Sequence, residues 1–383
     1  MQFEFATATR LIFGAGILSQ LGDIAISMGK SVFLTTNLPE ERIAPIINYL
    51  TKRELNIVPY CIYGEPTRML VADGVELARE NLCDLVIGIG GGSAIDTGKA
   101  VAAMTTNLGD IYDYLEIVGK GLPITKQPIP MIAVPTTAGT GAEVTRNAVI
   151  GVPEHHVKVS LRHPWLLPKL ALVDPELTYN LPPEVTASTG VDALTQLIEP
   201  FVSIKANPLT DAICREGMDL IAHALYKAFD ADDPASREKM SMASLFGGLA
   251  LANSGLGVVH GFASVLGGMY PIPHGVICAR LLPYIMETNL YALQARMPDS
   301  PALRRYQEVA RILTSNPDAE AADGIAWVHE LCTLLNIPSL TDYRIGAQDF
   351  PTLIDKTSKA SSTRANPIQL THEELWSILK AAV

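Results

Sequence analysis

The residues in this sequence best suited to chemistry are an aspartate and two histidines set in apolar, glycine-rich surroundings. Asp192 lies in Gly190-Val-Asp-Ala-Leu-Thr-Gln196-Leu-Ile-Glu199. Gln196 follows it by four residues, so on an α-helix the two stand one above the other on the same face. Val191, Leu194, Leu197 and Ile198 are apolar and predict a largely buried helix. A buried carboxylate needs a hydrogen-bonding partner, a cation or a proton. The stretch from Val258 to Gly275 carries His260 and His274 in nearly uncharged sequence. Each of the three alone reads as a satisfied core residue. Brought together by folding, one carboxylate and two imidazoles make a site for a hard-to-borderline divalent metal.

A second group of residues is suited to holding phosphate. Asp84-Leu-Val-Ile-Gly-Ile-Gly90-Gly-Gly-Ser93-Ala-Ile-Asp96 reads as a strand, a glycine turn and a helix start. Glycines let the backbone approach a pyrophosphate, and free N–H groups at a helix N-terminus hold its negative charge. Gly91, Gly92, Ser93 and Asp96 are therefore candidate cofactor residues. The spacing is not GxGxxG, and a tight structural turn is the plain alternative. After the next apolar strand comes Pro135-Thr136-Thr137-Ala-Gly139-Thr140-Gly141-Ala-Glu143-Val-Thr145. Hydroxyls at the carboxyl end of a parallel strand sit where ligands bind in open α/β sheets. Two such loops on neighbouring strands would frame a dinucleotide. Asn37 ends the second strand with a neutral side chain where an acidic one would select NAD over NADP, so both cofactors stay open.

The elements that must position these groups change character along the chain. Arg10–Phe13, Ser31–Thr36, Ile57–Ile62, Asp84–Ile89 and Pro130–Val134 read as strands. They alternate with helical stretches near Arg42–Leu55 and Thr67–Asn81, which predicts a doubly wound α/β domain. Beyond Leu181-Pro-Pro183 helical periodicity dominates: Asp211–Phe229, Arg237–Asn253, Ile277–Leu293, Ala302–Leu313 and Ala322–Leu335. The expected division is a dinucleotide-binding domain over residues 1–180 and an all-α domain over 181–383. Thr371 followed by Glu374 predicts a capping box on a last helix.

Composition narrows the function. With 48% apolar and 18% charged residues, the chain can bury sizeable cores and is not disordered. A net charge of -11 without a basic cluster argues against nucleic acid and against an anionic membrane surface. Five scattered cysteines without a CxxC fit reduced thiols and a cytoplasmic location. Phe246 to Tyr270 has no acidic or basic residue and is long enough to span a bilayer, yet its glycines, Asn253 and His260 favour buried helices.

With these parts in order, the chain resembles the iron-containing (group III) alcohol dehydrogenase family over nearly its whole length. The resemblance rests on Gly90-Gly-Gly-Ser93-x-x-Asp96, on Pro135-Thr-Thr-x-x-Thr140-Gly-x-Glu143, on Leu181-Pro-x-x-x-Thr186-Ala-x-Thr-Gly190-x-Asp192-Ala-Leu-Thr, and on His260 with Pro273-His274-Gly275. It implies an α/β doubly wound N-terminal domain and an all-α C-terminal domain, the dehydroquinate synthase-like architecture. It implies NAD(P)-dependent interconversion of a small alcohol and its aldehyde or ketone, and a homodimer. The implied metal ligands are Asp192, His260 and His274, with Gln196 standing where the family usually has histidine. The implied cofactor contacts are Gly91, Gly92, Ser93, Thr136, Thr137, Thr140, Thr145, Asn147 and Lys158. His274 and Ser264 are the catalytic candidates, Ser264 replacing a histidine that many members use to move protons. A hydroxyl can pass a proton along a chain but does not titrate near neutrality. An amide oxygen is a weaker ligand for Fe²⁺ or Zn²⁺ than imidazole, so either metal is open, as is a metal-free reductase of the maleylacetate reductase kind. A catalytically silent dinucleotide-binding protein is the remaining alternative.

Overall fold

Six short apolar runs pair side by side in the computed structural model, which describes residues 2–383. In chain order the strands are β1 (Arg10–Phe13), β2 (Ser31–Thr36), β3 (Asn56–Cys61), β4 (Leu85–Gly90), β5 (Met131–Pro135), β6 (Asn147–Val152), β7 (Val157–Arg162) and β8 (Leu170–Val173). The main sheet runs β1-β8-β5-β4-β2-β3, parallel throughout. Helices α1 (Leu21–Ile26), α2 (Glu40–Thr51), α3 (Arg68–Glu80) and α4 (Gly92–Thr106) cover it. Alternate residues of one strand enter different cores: Val32, Leu34, Leu85 and Ile87 join Leu21, Ile43 and Leu50, whereas Phe33 and Val86 join Val71, Val75 and Val101. Both faces of the central strands are thus buried, which is why β4 reads as an unbroken apolar run instead of an alternating one.

Strands β6 and β7 form a separate antiparallel hairpin, with Asn147 opposite Arg162. This hairpin and the four-residue β8 are absent from the sequence expectation. The other strands fall within one residue of it. Together these elements form one compact unit, residues 6–137 and 141–178.

The second unit takes residues 2–5, 138–140 and 179–383. It consists of α5 (Pro183–Val202), α6 (Pro208–Ala231), α7 (Pro234–Ser254), α8 (Val258–Met269), α9 (His274–Arg296), α10 (Pro301–Thr314), α11 (Ala321–Leu334), α12 (Phe350–Lys359) and α13 (His372–Ala382). Helix starts are written in the sequence: proline opens α6, α7 and α10 directly after the capping side chains Asn207, Asp233 and Ser300. Thr371 and Glu374 make the predicted capping box on α13. Helix α5 is the axis of this unit, buried from Gly190 to Val202 and packed against α6, α7 and α9. The uncharged stretch Phe246–Tyr270 resolves into the end of α7 and all of α8, which meet at a bend of 101°. Among the described residues no single helix is long and apolar enough to cross a membrane.

Candidate metal centre and nucleotide loop

Three helices of the second unit each bring donor atoms to one point. Helix α5 contributes Asp192, α8 contributes His260, and α9 contributes His274 at its first residue and Cys278 one turn later. Asp192 Oδ1 lies 3.5 Å from His260 Nε2 and 3.6 Å from His274 Nε2. Cys278 Sγ lies 3.9 Å from His260 Nε2 and 3.6 Å from His274 Nε2. One ligand atom from each of the four lies within 4.8 Å of every other. Asp192, His260 and Cys278 are buried, and His274 is partly exposed.

Outer partners fix this arrangement. Glu199, two turns along α5 from Asp192, accepts from the Val259 amide at 2.7 Å and lies 2.7 Å from His260 Nδ1. With Nδ1 engaged there, Nε2 is the ring nitrogen turned to the centre, as in carboxylate–histidine–metal triads. The close approach requires Gly257, since a β-carbon there would stand 2.7 Å from Glu199 Oε1. Gln196 Nε2 donates to Asp192 Oδ2 at 3.0 Å and so anchors the carboxylate from the side away from the imidazoles. Asp192 Oδ1 and Gln196 Oε1 are buried with no hydrogen-bond partner among the described residues.

Electrostatics reflect the crowding. Burial works to raise the Asp192 carboxyl, but the facing His274 and His260 rings outweigh it and leave it below its ordinary value. Burial works to lower His260, yet the acidic groups packed around it, Cys278, Glu199 and Asp192, hold it well above its ordinary value. The Cys278 thiol is pushed up to about 12, first by burial and then by the Asp192 carboxylate.

In the sheet unit, β4 ends in the predicted glycine turn. Gly90 has φ +156°, and a β-carbon on it would meet Ala94 Cβ at 2.7 Å and overlap the Asn37 side chain. Asn37 Oδ1 accepts from the Gly91 amide at 3.1 Å, so this side chain braces the turn. Gly91 caps α4 without a side chain, and the first N–H groups of the helix have no partner within it. The Thr136 amide donates to Gly90 O at 3.0 Å, joining the second polar loop to the first.

The remaining predicted residues fall in different places. Asp96 is buried and accepts from the Val149 amide at 2.9 Å, with Lys99 Nζ 3.5 Å away. Lys99 donates to Thr145 Oγ1 at 2.8 Å and to Asn147 O at 2.9 Å. Asp96, Thr145 and Asn147 therefore share a network that ties α4 to β6. Lys158 pairs with Glu65 at 2.9 Å. The Ser264 hydroxyl donates back to Gly261 O at 2.8 Å. Cys278, Glu199 and Lys99 are absent from the sequence expectation. The i, i+4 spacing of His274 and Cys278 was the available signal for the first of them.

Comparison with known proteins is consistent along the chain. Residues 8–175 match the family model described as iron-containing alcohol dehydrogenase, and residues 186–383 match the C-terminal model of the Fe-containing alcohol dehydrogenase family. Alcohol dehydrogenase 4 of Schizosaccharomyces pombe is 40% identical over 325 residues, covering 84% of this chain and 74% of the relative. The 1,3-propanediol dehydrogenase of Klebsiella pneumoniae is 32% identical and covers 99% and 98% respectively. A crystal structure of 1,3-propanediol oxidoreductase superposes with a TM-score of 0.92 at 31% identity over 100% of both chains.

Proposed function

This chain belongs to the iron-containing alcohol dehydrogenase family, and from that premise we propose that Asp192, His260 and His274 hold a divalent metal for the interconversion of a small alcohol and its aldehyde or ketone. Family membership makes it an NAD(P)-dependent oxidoreductase acting on an alcohol–carbonyl pair. The observation that carries the metal reading is Asp192 Oδ1, a buried oxygen without a hydrogen-bond partner among the described residues and facing two imidazole nitrogens. Removing such an atom from water is costly unless a cation or donor meets it. The donor set fits a divalent cation of borderline hardness.

When bound, the cation would act as a Lewis acid toward the substrate oxygen, and a nicotinamide would supply or accept the hydride. The chain's own residues do the positioning. Glu199 holds the His260 ring, and Gln196 holds Asp192 by its second oxygen. Phe262, Val265 and Leu266 bury the rest of α8 in the core of the helical unit. The Ser264 hydroxyl donates its hydrogen to Gly261 O and leaves its oxygen able to accept a hydrogen bond. Gly91, Gly92 and Ser93 offer the start of α4 to a pyrophosphate, and Thr136 and Thr137 of the same unit offer hydroxyls to a ribose.

The test is elemental analysis of the purified protein combined with aldehyde reduction using NADH and NADPH in turn. His260→Ala is expected to lose metal and turnover while retaining nucleotide binding. Full turnover by metal-free His260→Ala protein would sink the scheme. The rival, a metal-free reductase of the same superfamily, is favoured by Gln196, an amide where an imidazole ligand would serve better. It predicts undiminished rates after chelation. We also place the protein in the cytoplasm as a homodimer; its five free thiols suit a reducing compartment, and gel filtration with light scattering tests the dimer.

A further inference from the structure

Two of the three helices that supply the ligands, α5 and α9, each carry a second polar side chain one turn on, and the two behave differently. On α5, Gln196 spends its N–H on Asp192 Oδ2. On α9, Cys278 directs Sγ at the same point as both Nε2 atoms, 3.9 and 3.6 Å from them. A fully buried cysteine is ordinarily a small core residue and by itself indicates nothing. Here it stands beside a buried carboxylate oxygen that lacks a partner.

Distances decide between packing and ligation. With metal–N and metal–O bonds of about 2.0–2.1 Å and a metal–S bond of about 2.3 Å, a tetrahedron has N···O edges of about 3.4 Å and N···S edges of about 3.6 Å. The two N···O edges are 3.5 and 3.6 Å, and the two N···S edges are 3.9 and 3.6 Å. All four match within a few tenths of an ångström. The two remaining edges, between the imidazoles and between Asp192 and Cys278, lie within 4.8 Å.

We infer that Cys278 Sγ is the fourth protein donor of the metal centre, giving an Asp–His–His–Cys set in which Gln196 orients Asp192 without ligating. The inference rests on the metal reading above and deepens it, and it requires the substrate oxygen to enter as a fifth ligand, as catalytic zinc sites allow. On binding, the S–H bond breaks heterolytically, the electron pair stays on sulfur to form the metal–sulfur bond, and the proton leaves to solvent. A thiolate is softer than an imidazole or an amide oxygen and shifts the preference of the site toward zinc.

Cobalt substitution tests this directly. Apoprotein reloaded with Co²⁺ under reducing conditions is expected to show a near-ultraviolet sulfur-to-cobalt charge-transfer band that disappears in Cys278→Ser, with the visible d–d bands retained. Cys278→Ala is expected to weaken zinc binding by more than the roughly 10–100-fold that loss of an outer partner costs. Should either variant fail to fold, X-ray absorption at the zinc edge of the unaltered protein gives the answer. One sulfur at about 2.3 Å supports the inference, and a shell of nitrogen and oxygen alone overturns it. Stoichiometric cobalt without the sulfur band would remove Cys278 from the site and leave the metal reading standing. A protein that takes up neither cobalt nor zinc would remove both.

Discussion

Glu199 makes no contact with the point where the four donors converge, yet it determines which nitrogen of His260 faces them. Replacing it with alanine should lower zinc affinity roughly 10–100-fold, measured by competition with a chromophoric chelator. Glu199→Gln, which keeps an acceptor, should lose less. Gly90→Ala should abolish NADH binding, followed by fluorescence titration, because the added methyl meets Ala94 and Asn37 in a backbone conformation that L residues rarely adopt. At this scale the sequence is readable wherever a residue is chemically out of place. Asp192, His260 and His274 stand out because an apolar helix has no ordinary use for them. Cys278 does not stand out, because cysteine in an apolar helix is unremarkable until its distances are known. Glu199 was visible as a charge in a buried helix, but its partner lies 61 residues away on α8.

Helix α4 and the β6–β7 hairpin are held together by a buried lysine. Lys99→Met should destabilise the protein by about 3–5 kcal/mol in urea denaturation, since it leaves the Asp96 carboxylate buried without its counter-charge. Adding Asp96→Asn should recover part of that loss. Close by in sequence, burial raises the Glu143 carboxyl from 4.5 to about 7. The folded state then binds the proton more tightly than the unfolded chain, so this group costs stability as pH rises from about 4.5 to above 7, and nothing below that window. Glu143→Gln should be no more stable than wild type at about pH 4 and clearly more stable at about pH 8, read from urea midpoints across that range. Long, doubly buried strands such as β4 were legible because both faces demand apolar residues. The hairpin was not. Its β6 strand alternates buried and half-buried positions around small side chains, and β8 has four residues, too few for periodicity to stand clear of loop sequence.

For the whole molecule, the two units give separate expectations. Zinc should slow amide hydrogen exchange in α5, α8 and α9, and NADH should slow it around the turn from β4 into α4. At 100 times its dissociation constant either ligand should add about 2.7 kcal/mol to the resistance of the state it binds. Uniform slowing of all helices by zinc, with no excess at α5, α8 and α9, would contradict the proposed ligands. The alternation of strand and helix followed by helices alone made the architecture legible from sequence. The brief passage of residues 138–140 into the helical unit did not show, because nothing in Ala138-Gly139-Thr140 distinguishes it from the rest of its loop.

That passage governs any attempt to take the protein apart. Gly139 fits so closely on Thr189 that a β-carbon would come within 2.6 Å of the threonine Cβ, and Thr189 lies three residues ahead of Asp192 on the same helix. A fragment begun at residue 179 would therefore expose a notch in α5 next to its ligand, while its complement would carry an orphaned loop. No single scission yields two whole pieces. A helical half made for spectroscopy would need residues 2–5 and 138–140 restored through linkers, as an engineered permutant can supply.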